Sequence, residues 1–132
     1  MTRIAHTILD SAAGYANTIR ARQHTLTADE PRTGGGTDTG PSPYELLLAG
    51  LGACTAITLR MYAERKGWEL GEVHVDLELH KDGEGDTGRI ARAISFGAPL
   101  SAEQKTRLAE MAEKTLVTRT VKAGAPIATV VR

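Results

Sequence analysis

The longest apolar run in the chain lies between Glu45 and Arg60, from Leu46 to Leu59, and its beginning carries a clear start signal. Ser42 stands as an N-cap, Pro43 at the first helical position and Glu45 three residues after the serine, a capping box with proline where its missing N–H costs nothing. No breaker follows until Gly67, and the basic pair Arg65-Lys66 before it suits the negative end of a helix dipole. The pattern predicts a helix from Pro43 to about Lys66. The fourteen residues of the run fall short of the ~18 expected of a membrane span, so the helix is expected to be a core element. Leu47, Leu51, Cys54 and Thr58 follow one stripe while Leu46, Leu48, Leu59 and Tyr62 occupy others, leaving the helix apolar on nearly every side. Gly50 and Gly52 each cost about 1 kcal/mol of helix propensity, but with Ala49 and Ala53 they admit a close neighbour. A chain of 132 residues with five aromatics has little with which to wrap such a helix, so a second copy is expected against it.

Downstream, Val73, Val75, Leu77 and Leu79 alternate with His74, Asp76, Glu78 and His80, the period of a strand with one buried and one wet face. A polar turn over residues 82–88 separates it from a second alternating run through Ile90, Ile94 and Phe96, and the two read as an antiparallel pair. Ser101 and Gln104 form a second capping box, opening a helix expected to end near 114–116. A short turn or helix then leads to Gly124, and residues 126–131 read as a last strand. Upstream, residues 3–9 and 15–22 read as two short strands, with a third at 24–27. The glycine-rich stretch 33–41 reads as a loop, mobile or bordering a site. Strands around a central helix define an α+β fold, and the length fits a single domain over 1–132.

Sixteen Lys and Arg balance sixteen Asp and Glu, so neither a basic field for phosphates nor, with so few aromatics, a stacking platform for bases is present. Nucleic acid is an unexpected partner, and so is a membrane. The first residues lack a charged segment followed by an apolar one, which predicts no secretory leader. One cysteine, Cys54, excludes an internal disulfide and suits a reducing compartment, so a cytoplasmic location is expected. The four histidines do not cluster at metal-ligand spacing, and the glycine loop lacks the ending of a phosphate-binding loop; no metal or cofactor is expected.

The chemistry therefore rests on Cys54. In mid-helix it gains little from the N-terminal dipole of its own helix, so reactivity requires a neighbouring cation to stabilise the thiolate. Arg20 and Arg22, on the second strand, are the candidates for that cation. Without one, Cys54 is a small buried hydrophobe. Glu45 reads most simply as a capping carboxylate.

The stretch Gly40-Pro41-Ser42-Pro43-Tyr44-Glu45-Leu46-Leu47-Leu48-Ala49-Gly50-Leu51-Gly52-Ala53-Cys54-Thr55-Ala56, with Arg60-Met61-Tyr62-Ala63 and Lys66-Gly67-Trp68 after it and Ala28-Asp29-Glu30-Pro31 before it, resembles the OsmC/Ohr family, in its OsmC-like branch. The resemblance implies an α+β, OsmC-like fold in which antiparallel sheets surround the long central helices of an intertwined homodimer. It also implies reduction of hydroperoxides by a cysteine on the central helix, matching Cys54, whose thiolate attacks the O–O bond to give a sulfenic acid. An arginine that lowers the thiol pKa and a carboxylate that orients it complete the site; Arg20 and Glu45 are the candidates here.

The sequence departs from that pattern. Where family peroxidases carry a second, resolving cysteine and then a histidine, this chain has Thr115 and Thr118. Counting back from the cysteine, the family glutamate aligns with Tyr44, and one residue along a helix is about 100° of rotation, which puts Glu45 out of register. Two functions follow. One is a one-cysteine peroxidase of oxidative-stress defence, regenerated by an external thiol. The other is a non-catalytic ligand-binding or structural dimer that has lost the resolving cysteine.

Overall fold

The computed structural model describes residues 1–85 and 88–132. Its contacts divide the chain into two compact units, residues 1–47 and 48–132, described in turn. The first contains three antiparallel strands in the order β1 (Ile8–Asp10), β2 (Asn17–Ala21), β3 (His24–Ala28). β2 and β3 form a hairpin in which Ala21 faces His24, and Arg22 at its tip takes a left-handed φ of 54°. The first strand is shorter than expected: only Ile8, Leu9 and Asp10 find partners, opposite Arg20, Ile19 and Thr18, and residues 3–7 have none in the sheet.

The glycine-rich stretch is organised around a buried carboxylate. Asp29 accepts from the Glu30 N–H (2.7 Å) and from both the N–H and the hydroxyl of Thr37 (3.3 and 2.7 Å) and of Thr39 (3.1 and 2.7 Å). The Thr37 hydroxyl first, then the Thr39 donors, hold this carboxyl well below the usual carboxylate range. Gly36 is required here because a Cβ would collide with the Glu30 carbonyl oxygen and stand 2.8 Å from Asp29 Oδ1.

Helix α1 spans Pro43–Lys66, the residues its start and stop signals mark. Its capping box is formed: the Ser42 N–H donates to Glu45 Oε1 (2.8 Å) and the Glu45 N–H reaches Ser42 Oγ (3.4 Å).

In the second unit, β4 (Val73–Lys81) and β5 (Gly88–Phe96) pair antiparallel along their full length. Asp86 and Thr87, part of the expected 82–88 turn, lie outside the described residues. Val73, Val75, Leu77 and Leu79 face inward opposite Phe96, Ile94, Arg92 and Ile90, while His74, Asp76, Glu78 and His80 are exposed, as the alternation predicts. Leu59, Tyr62 and Ala63 of α1 pack with Leu70 and with Leu108 and Ala112 of α2 (Ala102–Ala112), flanked by Trp68, Val73, Ile94 and Phe96. Gly52 has its own reason to be glycine, since a Cβ there would stand 2.8 Å from Leu77 Cδ1.

Two expectations fail in this unit. Helix α2 stops at Ala112, earlier than 114–116, because Thr115 caps a separate helix, α3 (Leu116–Ala123), its hydroxyl accepting from the Thr118 N–H. Residues 126–131 form no strand; among the described residues no strand edge receives them, and Ile127 and Val131 are exposed. By length and composition α1 could cross a membrane. Its inward residues Leu59, Tyr62 and Ala63 pack into the core of this unit.

Candidate functional site around Cys54

Helix α1 presents Cys54 half-buried in the second unit. In the middle of α1 the sulfur is far from the start of its own helix, and the helix start that bears on it is that of α3. The backbone N–H groups of Val117 and Leu116, in the first turn of α3, and the hydroxyls of Thr115 and Thr58 are the groups that favour its ionised form. Four N–H groups at a helix start have no partner within the helix, and they carry its positive partial charge. Partial burial pushes the thiol up, but these hydrogen bonds, led by the Val117 N–H and the Thr115 hydroxyl, outweigh it and leave the thiol below its ordinary value. Thr58 Oγ1 lies 4.0 Å from the sulfur.

Thr115 is itself held. Its Oγ1 lies 2.6 Å from that of Thr118, and both side chains are buried. Thr118 Oγ1 accepts from Arg92 Nη1 (2.9 Å), and the same Nη1 donates to Thr55 Oγ1 (3.0 Å). Nη2 donates to the Ala112 carbonyl (3.1 Å) and to Glu113 Oε2 (2.8 Å), and Glu113 in turn accepts from Lys122 (3.1 Å). The Arg92 side chain is only 12% exposed, so this charge is desolvated but fully engaged. A cleft of about 570 Å³ adjoins the arrangement, lined by Leu51, Ile90, Arg92, Glu113, Thr118 and Val121 among others; Cys54 is not part of its wall.

The other expected site residues lie in the first unit. Arg20 is exposed and ion-paired with Asp10 across β1 and β2 (2.9 Å). Arg22 sits at the hairpin tip, its guanidinium 3.5 Å from Gln23 Oε1. Glu45 is engaged as the capping carboxylate, and the Ser42 N–H, then the Ser42 hydroxyl, hold its carboxyl below the ordinary value.

Arg92 escaped the sequence reading, although a signal was there. It occupies the inward phase of β5, between Ile90 and Ile94, where a charged residue requires buried partners. Its partners come from α1, α2 and α3, which no local pattern brings together.

Antiparallel sheets and a long helix that carries a half-buried thiol define an α+β protein. The family model described as OsmC-like protein matches residues 35–130. The chain belongs to the OsmC-like protein family. Its fold matches the OsmC-like protein of Mycoplasma pneumoniae with a TM-score of 0.81, at 18% identity, over 94% of this chain and 91% of that one. It also matches an organic hydroperoxide resistance protein OsmC of Legionella pneumophila (TM-score 0.67, 18% identity, 92% of each chain). A third match is the organic hydroperoxide resistance protein OhrB of Bacillus subtilis (TM-score 0.64, 21% identity, 92% and 93%). In sequence it is 29% identical over 77 residues to an uncharacterised protein of Haloferax volcanii, and the match spans 58% of the length of each.

Proposed function

We propose that the protein is a one-cysteine thiol peroxidase of the cytoplasm, acting on hydroperoxides in oxidative-stress defence, with Cys54 as the nucleophile. The observation that carries this reading is a single cysteine on the long helix, half-buried and therefore partly open, whose surroundings at the start of α3 favour the thiolate. The thiolate attacks the distal peroxide oxygen, the O–O bond breaks, and the alkoxide leaves with a proton from solvent as an alcohol, giving Cys54 sulfenic acid. With Thr115 in place of a resolving cysteine, the sulfenic acid condenses with an external thiol to release water. A second external thiol attacks the mixed disulfide, freeing Cys54 and an external disulfide. The solved relatives named for organic hydroperoxide resistance support the substrate class.

The working unit in this proposal is a homodimer. On α1, Gly50 and Ala53 are exposed, and Ile57 and Met61 are 60% and 54% exposed on the same face. The sheet of the second unit has two strands among the described residues, a marginal ribbon unless extended, while residues 125–131 stay exposed with their apolar side chains. A second copy covers the helix face. In such a dimer Arg20 is the candidate for an additional cation brought to Cys54 by the partner.

Stopped-flow oxidation by cumene hydroperoxide tests the activity. Cys54 is expected to be oxidised at least tenfold faster than a free thiol at equal pH, with Cys54→Ser inert. Equal reactivity would overturn the peroxidase and leave a ligand-binding or structural dimer.

A further inference from the structure

A second cavity lies between β5 and α2, apart from the cleft beside Thr118. It holds about 590 Å³, within the range of small-molecule sites, and its wall is built chiefly from Ile94, Phe96, Leu100 and Leu108 with Arg92 and Lys105. Leu108 is buried, whereas Ile94, Phe96 and Leu100 are only half-buried and leave apolar surface uncovered. The wall holds two cations and, among the described residues, no carboxylate. Lys105 is exposed and has no ion pair or side-chain hydrogen bond among the described residues. Arg92 spends four of its five N–H donors on Thr55, Thr118, the Ala112 carbonyl and Glu113. The fifth, Nε–H, has no partner among the described residues, and because no buried side-chain N or O there is left unpaired, it is open to solvent.

We propose that this cavity is a binding site for an amphipathic anion, a medium-chain carboxylate, with the carboxylate at Lys105 and the alkyl tail along Phe96, Ile94 and Leu108 toward Arg92. Charge decides the class of ligand: an apolar wall bordered by cations without an acid suits an anion with a tail and disfavours a cation or a sugar. Lys105 is the anchor because its charge is unopposed, whereas that of Arg92 is already paired with Glu113 at 2.8 Å. Geometry sets the length of the tail. Lys105, Leu108 and Ala109 share one face of α2 by their spacing, and Ala112, whose carbonyl accepts from Arg92, follows Lys105 by two turns. Two turns are about 10 Å of helix, the reach of an alkyl chain of about eight to ten carbons. Cys54 does not line this cavity, so the site stands or falls apart from the peroxidase reading.

The test is titration of the full-length protein with decanoate, followed by calorimetry and by saturation-transfer NMR of the decanoate protons. Decanoate should bind saturably, one per chain, and hexanoate about tenfold more weakly because it buries fewer methylenes. Lys105→Gln should weaken decanoate about fivefold, the size of an exposed ion pair, and added salt should weaken the wild type while leaving this variant nearly unmoved. Ala109→Phe fills the cavity from the exposed face of α2 and should abolish binding. Both substitutions fall on exposed helix positions outside the core, so the variants keep the fold, which an unchanged circular dichroism spectrum verifies. Absence of saturable binding, equal affinity for hexanoate and decanoate, or a decanoate affinity untouched by Lys105→Gln or by Ala109→Phe would each overturn the site. A second copy lying over the cavity would also overturn it, and would be read as exclusion of decanoate together with a lower native mass in Ala109→Phe.

Discussion

Asp29 and Cys54 are both acids held below their ordinary pKa by hydrogen bonds, yet one is sealed and the other is half open. Asp29 accepts five donors from a segment within ten residues of it, all spent on closing a loop. Cys54 is held down mainly by groups at the start of a helix more than sixty residues further along the chain, and its surface is only partly covered. The same physics builds a structural staple in one case and, in the function proposed above, primes a nucleophile in the other. What separates them is exposure and the softness of the acid, since sulfur is a weaker acceptor than a carboxylate and keeps its reactivity.

The largest effect is expected on the sealed side. Asp29→Ala leaves two threonine hydroxyls and three N–H groups without their acceptor and should open the 29–41 segment, read as lost amide protection there in hydrogen exchange. The carboxylate also sets an acid limb. Because its native pKa is depressed, its contribution is complete above the unfolded value of about 3.9 and is lost as pH falls through the native value. Asp29→Asn should remove that limb from the pH dependence of thermal unfolding. Gly36→Ala comes next, since the added Cβ meets backbone; about 1–3 kcal/mol of stability should be lost in denaturant unfolding.

On the open side, Thr115→Val removes both the cap of α3 and a hydroxyl that helps to lower the thiol pKa. It should cost about 1 kcal/mol of stability and raise the Cys54 pKa at the same time. A loss of stability with no change in the thiol would separate the two roles and break the parallel with Asp29. Thr58→Val should do least, because its hydroxyl is 4.0 Å from the sulfur; a thiol pKa within about 0.3 of wild type, from alkylation rates, is the expected result.

The sequence made some of this legible and hid the rest for one physical reason. The span of α1 could be read from Ser42, Pro43, Glu45 and Gly67, and that of β4 and β5 from the inward phase of their apolar residues, because caps and periodicity are local. The end of α2 was misjudged because Thr115 acts as a cap, competing with a helical pattern that looked continuous. The strand expected at 126–131 depended on an edge that a single chain does not offer it among the described residues. Cys54 was singled out in the sequence, but its donors were not, since Leu116 and Val117 supply backbone N–H groups that any residue carries. Arg92 was legible only as a charge in the wrong phase of a strand.

The most direct measurement is the pH dependence of Cys54 alkylation in the native wild-type protein, with the same chain in denaturant as its reference. The cradle at the start of α3 predicts a native apparent pKa below the unfolded thiol's value of about 8.5. A native value equal to or above that of the denatured chain would contradict the claim that this helix start primes the sulfur.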